Sequence, residues 1–165
     1  MDAVSRLLLV LLLLSSTACE LEIGEDEGGE GEEDEGPYHR PGQACLACHG
    51  EFTTAGTVYL RATDSVGVEG AEVVITDATG WEIRVPTNRA GNFMVEVKGD
   101  REESPDREKG ELKVPRRLDF PISVRVIYGD VEQVMRSRAH REGSCAVCHD
   151  RRVTEESVGR IYVLE

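Results

Sequence analysis

The chain has 165 residues, with 32 acidic and 19 basic side chains, a formal net charge of −13 and only 5% aromatic residues. No basic stripe with interleaved aromatics runs through it, so nucleic acid is not an expected partner. The cysteines number five, an odd count that leaves one to be explained apart from any pairs.

The first element is an export signal. Arg6 precedes the unbroken apolar run Leu7–Leu14, and the small residues Ser16-Thr17-Ala18 lead to Cys19. The run is far shorter than the roughly 20 apolar residues of a transmembrane helix. Residues 1–18 are therefore predicted to be a secretory signal peptide. The cysteine at the cleavage point resembles the lipobox of bacterial lipoproteins, with Ser16 where that family usually carries an aliphatic residue. The resemblance implies that Cys19 is lipidated, becomes the mature N-terminus and anchors the protein to a membrane. Ordinary cleavage, leaving Cys19 free or paired, is the alternative. Glu20 stands where Asp would be the usual inner-membrane retention signal. The implied location is thus the periplasmic face of the outer membrane.

Residues 19–36 hold ten Asp or Glu and no Lys or Arg. Such a segment has too little apolar surface to offset its ordering entropy and is predicted to be a disordered tether. Asp2 and Arg6 cancel, so ten of the −13 charges belong to the tether and −3 remains on 37–165. The acidity is a property of the tether and does not identify a partner. The rest is enough for one domain with a modest core.

From there the pattern has period two. The runs at 57–60, 72–76, 82–85, 92–97, 122–128, 131–135 and 161–164 are rich in β-branched and aromatic residues, and glycines punctuate them. They predict an all-β, single seven-stranded sandwich of transthyretin- or immunoglobulin-like type. Segment 99–117, with twelve charged residues and two prolines, is predicted to be an exposed loop. Met94 and Met135 fall inside predicted strands and are expected to face the core. Gly56-Thr57-Val58, Gly70-Ala71-Glu72-Val73, Thr79-Gly80, Thr87 and Gly91-Asn92-Phe93 resemble the carboxypeptidase regulatory-like domains. That resemblance covers about 40 residues. It implies a transthyretin-like sandwich used as a scaffold, with no catalytic residues of its own.

Two short motifs bracket this region: Cys45-Leu46-Ala47-Cys48-His49 and Cys145-Ala146-Val147-Cys148-His149. C-x-x-C-H is the attachment pattern of c-type haem. Two thiols at this spacing match the two vinyl groups of the porphyrin, and the next imidazole lies under the iron. Cys45, Cys48, Cys145 and Cys148 are the candidate thioether residues, with His49 and His149 as proximal ligands. The flanks repeat as well: His39-Arg40-Pro41-Gly42 and His140-Arg141-Glu142-Gly143 each precede a motif. His39 and His140 are the candidate distal ligands, each for the haem of the other motif, against the alternative of exposed loop histidines. Strand directions counted from Phe52 return the chain to its starting pole at Cys145, provided that 99–117 adds no strand or two. Both motifs are then expected at one pole.

Disulfides in an oxidising envelope, or a Cys₄ or Cys₂His₂ zinc site, are the rival readings of the cysteine pairs. A thioredoxin-like role lacks the βαβ context it needs. The whole chain also resembles a group of bacterial envelope lipoproteins in which such motifs bracket a carboxypeptidase regulatory-like sandwich. The expected organisation is a signal (1–18), tether (19–36), first motif loop (37–51), sandwich (52–138), then second motif loop and last strand (139–165). The expected function is electron transfer by a lipid-anchored cytochrome carrying two covalent haems c, with redox partners unspecified. The alternative is a non-redox envelope module closed by disulfides or zinc. No triad or carboxylate pair argues for an enzyme.

Overall fold

A computed structural model describes residues 36–165. The predicted signal, the lipidation site Cys19 and all of the tether except Gly36 lie outside the described residues.

Eight strands form two four-stranded sheets. The first contains β1 (Phe52–Tyr59), β4 (Asn92–Val97), β5 (Glu111–Val114) and β8 (Ile161–Tyr162), in the order β5-β4-β1-β8. The second contains β2 (Glu72–Thr76), β3 (Glu82–Pro86), β6 (Ser123–Tyr128) and β7 (Val131–Val134), in the order β3-β2-β6-β7. Alternation decides the inner faces. Val73, Ile75, Ile83, Val85 and Val126 of the second sheet meet Val58, Phe93, Val95, Leu112 and Val114 of the first in one core. The outer face of the second sheet is charged, with Arg84 paired to Glu72 and Glu82, and Arg125 to Glu82 and Glu132.

The strand count is eight, not seven. The extra strand, β5, lies inside the segment expected to be a loop, and runs parallel to β4 with Met94 opposite Glu111 and Val97 opposite Val114. The reason is a four-residue alternation hidden in a charged run. Leu112 and Val114 turn inward and are fully buried, while Glu111 and Lys113 stay on the outer side. Residues 99–109 keep the exposed character expected of them, apart from the half-buried Asp106.

A single added strand breaks the condition behind the strand-direction count. The two motifs nevertheless adjoin, and β1 is the reason. β4 takes one edge of β1, pairing Ala55 with Met94. Along the other edge Ser144 pairs in parallel with Ala55, and Ile161 and Tyr162 pair in parallel with Val58 and Tyr59. Two separate segments thus line one edge of β1 in the same direction, and the second motif is the excursion between them. The first motif lies across the outer face of β1, which is why all eight residues of that strand are buried.

Candidate functional site

The approach to the first motif is a strap over β1 and β4. The Asn88 amide donates to the carbonyls of Pro37 (2.7 Å) and Lys109 (2.9 Å). The Asn92 amide donates to the carbonyl of His39 (3.1 Å), and its oxygen accepts from the Thr57 hydroxyl (2.7 Å). That hydroxyl in turn accepts from the Gly42 N–H at 2.7 Å. Arg40, at φ 48°, is the one non-glycine residue among those described with left-handed backbone. An L side chain enters that region only at a conformational cost, so the reversal after His39 is imposed by the contacts on either side of it.

The strap leads into a short 3-10 turn, Cys45–Ala47, closed by the His49 N–H on the Cys45 carbonyl (3.0 Å). Cys45 and Leu46 pack on a small apolar cluster of Phe52, Ala55 and Met94, outside the main core. Met94 therefore faces away from the core, contrary to the strand-based expectation, because its place in β4 shares a face with Phe52 and Ala55. A cleft of about 670 Å³ opens here, lined by His39, Cys45, Cys48, His49, Phe52 and Met94 among others. That volume lies inside the roughly 300–1,000 Å³ usual for small-molecule and cofactor sites.

Both imidazoles at this cleft are oriented through Nδ1. His49 Nδ1 lies 2.9 Å from Glu51 Oε1, and the ring stacks on Phe52 at 5.0 Å between centroids. His39 Nδ1 contacts the Gly36 carbonyl oxygen. The two histidine rings stand 5.8 Å apart, tilted by 52°. Imidazoles that share one metal at an M–N distance of about 2 Å face each other at a comparable centroid separation. His39 thus lies beside His49 of its own motif; the crossed assignment, with His39 serving the other motif, does not match this placement. An acceptor on Nδ1 leaves Nε2 for coordination, the arrangement found at most metal-bound histidines.

The second motif repeats the local geometry on different support. Its 3-10 turn, Cys145–Val147, is closed by the His149 N–H on the Cys145 carbonyl (2.8 Å). The Gly143 carbonyl accepts the Ala55 N–H (3.0 Å) and the Thr54 hydroxyl (2.8 Å), which fastens the turn to β1. Gly143 has to be a glycine, because a Cβ there would stand 2.2 Å from the Thr53 carbonyl oxygen. His149 Nδ1 lies 3.0 Å from the Gly159 carbonyl oxygen, again leaving Nε2 unengaged. His140 is different. It is exposed, follows Ala139, which is bonded both ways to Ile122, and among the described residues forms no ring contact with His49 or His149.

The four motif cysteines are free thiols, the first of each pair partly buried and the second exposed. Burial pushes the Cys45 thiol up, and pushes Cys145 up to about 12 with a further contribution from the nearby Cys45. Nucleophilic and redox-exchanging cysteines need the opposite shift. Among the described residues no three His, Cys, Asp or Glu side chains converge on one point. A zinc ion draws its three or four ligands from the protein. A haem iron needs only the axial imidazoles and takes its remaining four nitrogens from the porphyrin.

The residues missed by sequence reasoning are Asn88, Asn92 and Thr57, which place His39. Asn92 offered a signal, since Asn is depleted in strands and here it opens β4 between two glycine-marked turns and an apolar run. The chain matches no protein-family model, no curated protein and no solved structure.

Proposed function

We propose that the protein is a two-haem c-type cytochrome-like electron carrier, lipid-anchored through Cys19 in the bacterial envelope on the periplasmic face of the outer membrane. The observation that carries this reading is the repeated histidine geometry. In both C-x-x-C-H turns the imidazole Nδ1 is held by an oxygen acceptor and Nε2 is left for a metal. Cys45 and Cys48 would hold one porphyrin and Cys145 and Cys148 the other, with His49 and His149 as proximal ligands. Bound haem supplies a reversible one-electron iron couple. The chain's own part is to attach the porphyrins, orient the imidazoles and bring both motifs onto one strand, β1. The carboxypeptidase regulatory-like resemblance agrees with a sandwich that serves as scaffold and carries no catalytic group.

The test is covalent attachment. Expressed in a periplasm with cytochrome c maturation factors, the protein should gain the mass of two haems and keep its colour through acid–acetone extraction. Cys45→Ala with Cys48→Ala, and Cys145→Ala with Cys148→Ala, should each remove one haem. A colourless product with the cysteines in disulfides would favour a non-redox envelope module, and stoichiometric zinc would favour a structural metal site.

A further inference from the structure

The two motifs share a local turn and differ in what surrounds it. At the first, His39 is fixed 5.8 Å from His49 by a strap bonded to Asn88, Asn92 and Thr57, and both rings line one cleft. At the second, the corresponding histidine makes no ring contact with His149 among the described residues. His140 is held in place on both sides, by Ala139 on Ile122 and by Gly143 on Thr54 and Ala55, and is left exposed. Three residues between fixed points give it little freedom to travel.

The segment that follows His149 supplies no substitute. Residues 150–160 contain no His, Met, Cys, Lys or Tyr, the side chains that close an iron or compete for it. They fold back through the Val158 N–H on the Cys148 carbonyl (3.0 Å) and the pairing of Val153 with Val158. The turn exposes the charged side chains of Arg151, Arg152, Glu155 and Glu156 together with Val147, Val153 and Val158, which are 51%, 78% and 72% exposed.

We propose that the two sites are functionally unlike: the first would be closed by His39 beside His49, and the second would keep a coordination position open to a small ligand from solution. This rests on the haem reading above. It divides the labour of the molecule between a closed site suited to holding an electron and an open one that can take a ligand.

The experiment uses the full-length, haem-loaded protein reduced with dithionite, with carbon monoxide as the probe and the absorption spectrum as readout. The wild type should bind one carbon monoxide per molecule. His39→Ala should raise this to two, and His140→Ala should leave it at one. Cys145→Ala with Cys148→Ala should bind none through the remaining haem, whereas Cys45→Ala with Cys48→Ala should still bind one. Binding of two by the wild type, or of none, overturns the proposal, as does retention by the wrong single-haem variant. If Met94→Leu rather than His39→Ala opens the first site, the assignment of His39 falls, because Met94 lines the same cleft. Haem content measured beforehand by mass separates the two claims: a product without covalent haem overturns the reading of the site itself, and this proposal with it.

Discussion

Cys145 and Gly56 share one space: a Cβ on Gly56 would stand 2.9 Å from the Cβ of Cys145 and 3.0 Å from the ring of Phe93. The second motif is therefore seated against β1 by the absence of a side chain, with Phe93 of β4 packed against the same point.

Gly56→Ala should destabilise the protein by about 1–3 kcal/mol, the usual cost of forcing extra volume into a packed interior. Gly50→Ala is the control, because a Cβ at Gly50 meets nothing within 4 Å. Thermal unfolding of the two variants should separate them; equal melting temperatures would remove the seat.

Asn92→Leu should release the strap. The substitution keeps the γ-branched shape and deprives the His39 carbonyl and the buried Thr57 hydroxyl of the Asn92 amide as a partner. A loss of about 1–3 kcal/mol is expected where buried polar groups are left unsatisfied. Hydrogen exchange should report it locally, with the Gly42 amide, bonded to Thr57, losing protection before the strands do.

Asp77 gives the molecule an acid limit. Burial raises its pKa. That effect is outweighed by the Thr79 hydroxyl and by the N–H groups of Asp119, Thr79 and Trp81, and the carboxyl falls from 3.8 to about 2. Arg116 adds an ion pair at 2.9 Å while lying over the Trp81 ring. A carboxyl depressed in the folded state contributes stability that is complete above its unfolded pKa and vanishes as pH falls through the folded one. The contribution, on the order of 2 kcal/mol, should disappear between about pH 4 and pH 2. Asp77→Asn should remove that part of the pH dependence from urea-unfolding curves, and an unchanged acid limb would refute the assignment.

Cys19→Ser should move the protein from the membrane fraction to the soluble one, and mass spectrometry of the wild type should find lipid on the mature N-terminus. A wild-type protein that is soluble and cleaved without lipid would place it free in the periplasm.

Six of the expected strands were legible as runs of alternating or β-branched residues, and all of these but β7 present apolar side chains to a common core. β1 was read short, from 57, since Thr53 and Thr54 carry no apolar signal of their own and are buried by the loop at Leu118 and the turn at Gly143. β5 was hidden because two apolar residues among twelve charges do not register as a period, although Leu112 and Val114 are as buried as any residue in the molecule. The motif residues were visible from spacing alone. The asymmetry between His39 and His140 was not: both stand in the same H-R-x-G context, and the difference lies in Asn88 and Asn92, some 50 residues away in sequence.

The divided edge of β1 makes the second motif separable from the domain that carries it. Ser144 pairs with Ala55 and Ile161 with Val58, so the excursion leaves and rejoins one strand line across a gap of three positions. That is about 10 Å at the rise of an extended chain. Two residues could span it and turn an interrupted border into an unbroken one, with the core contacts of Val163 untouched. The scaffold is in this sense a chassis with a removable cartridge, and on the proposed reading the number of haems would follow from what is plugged into its border.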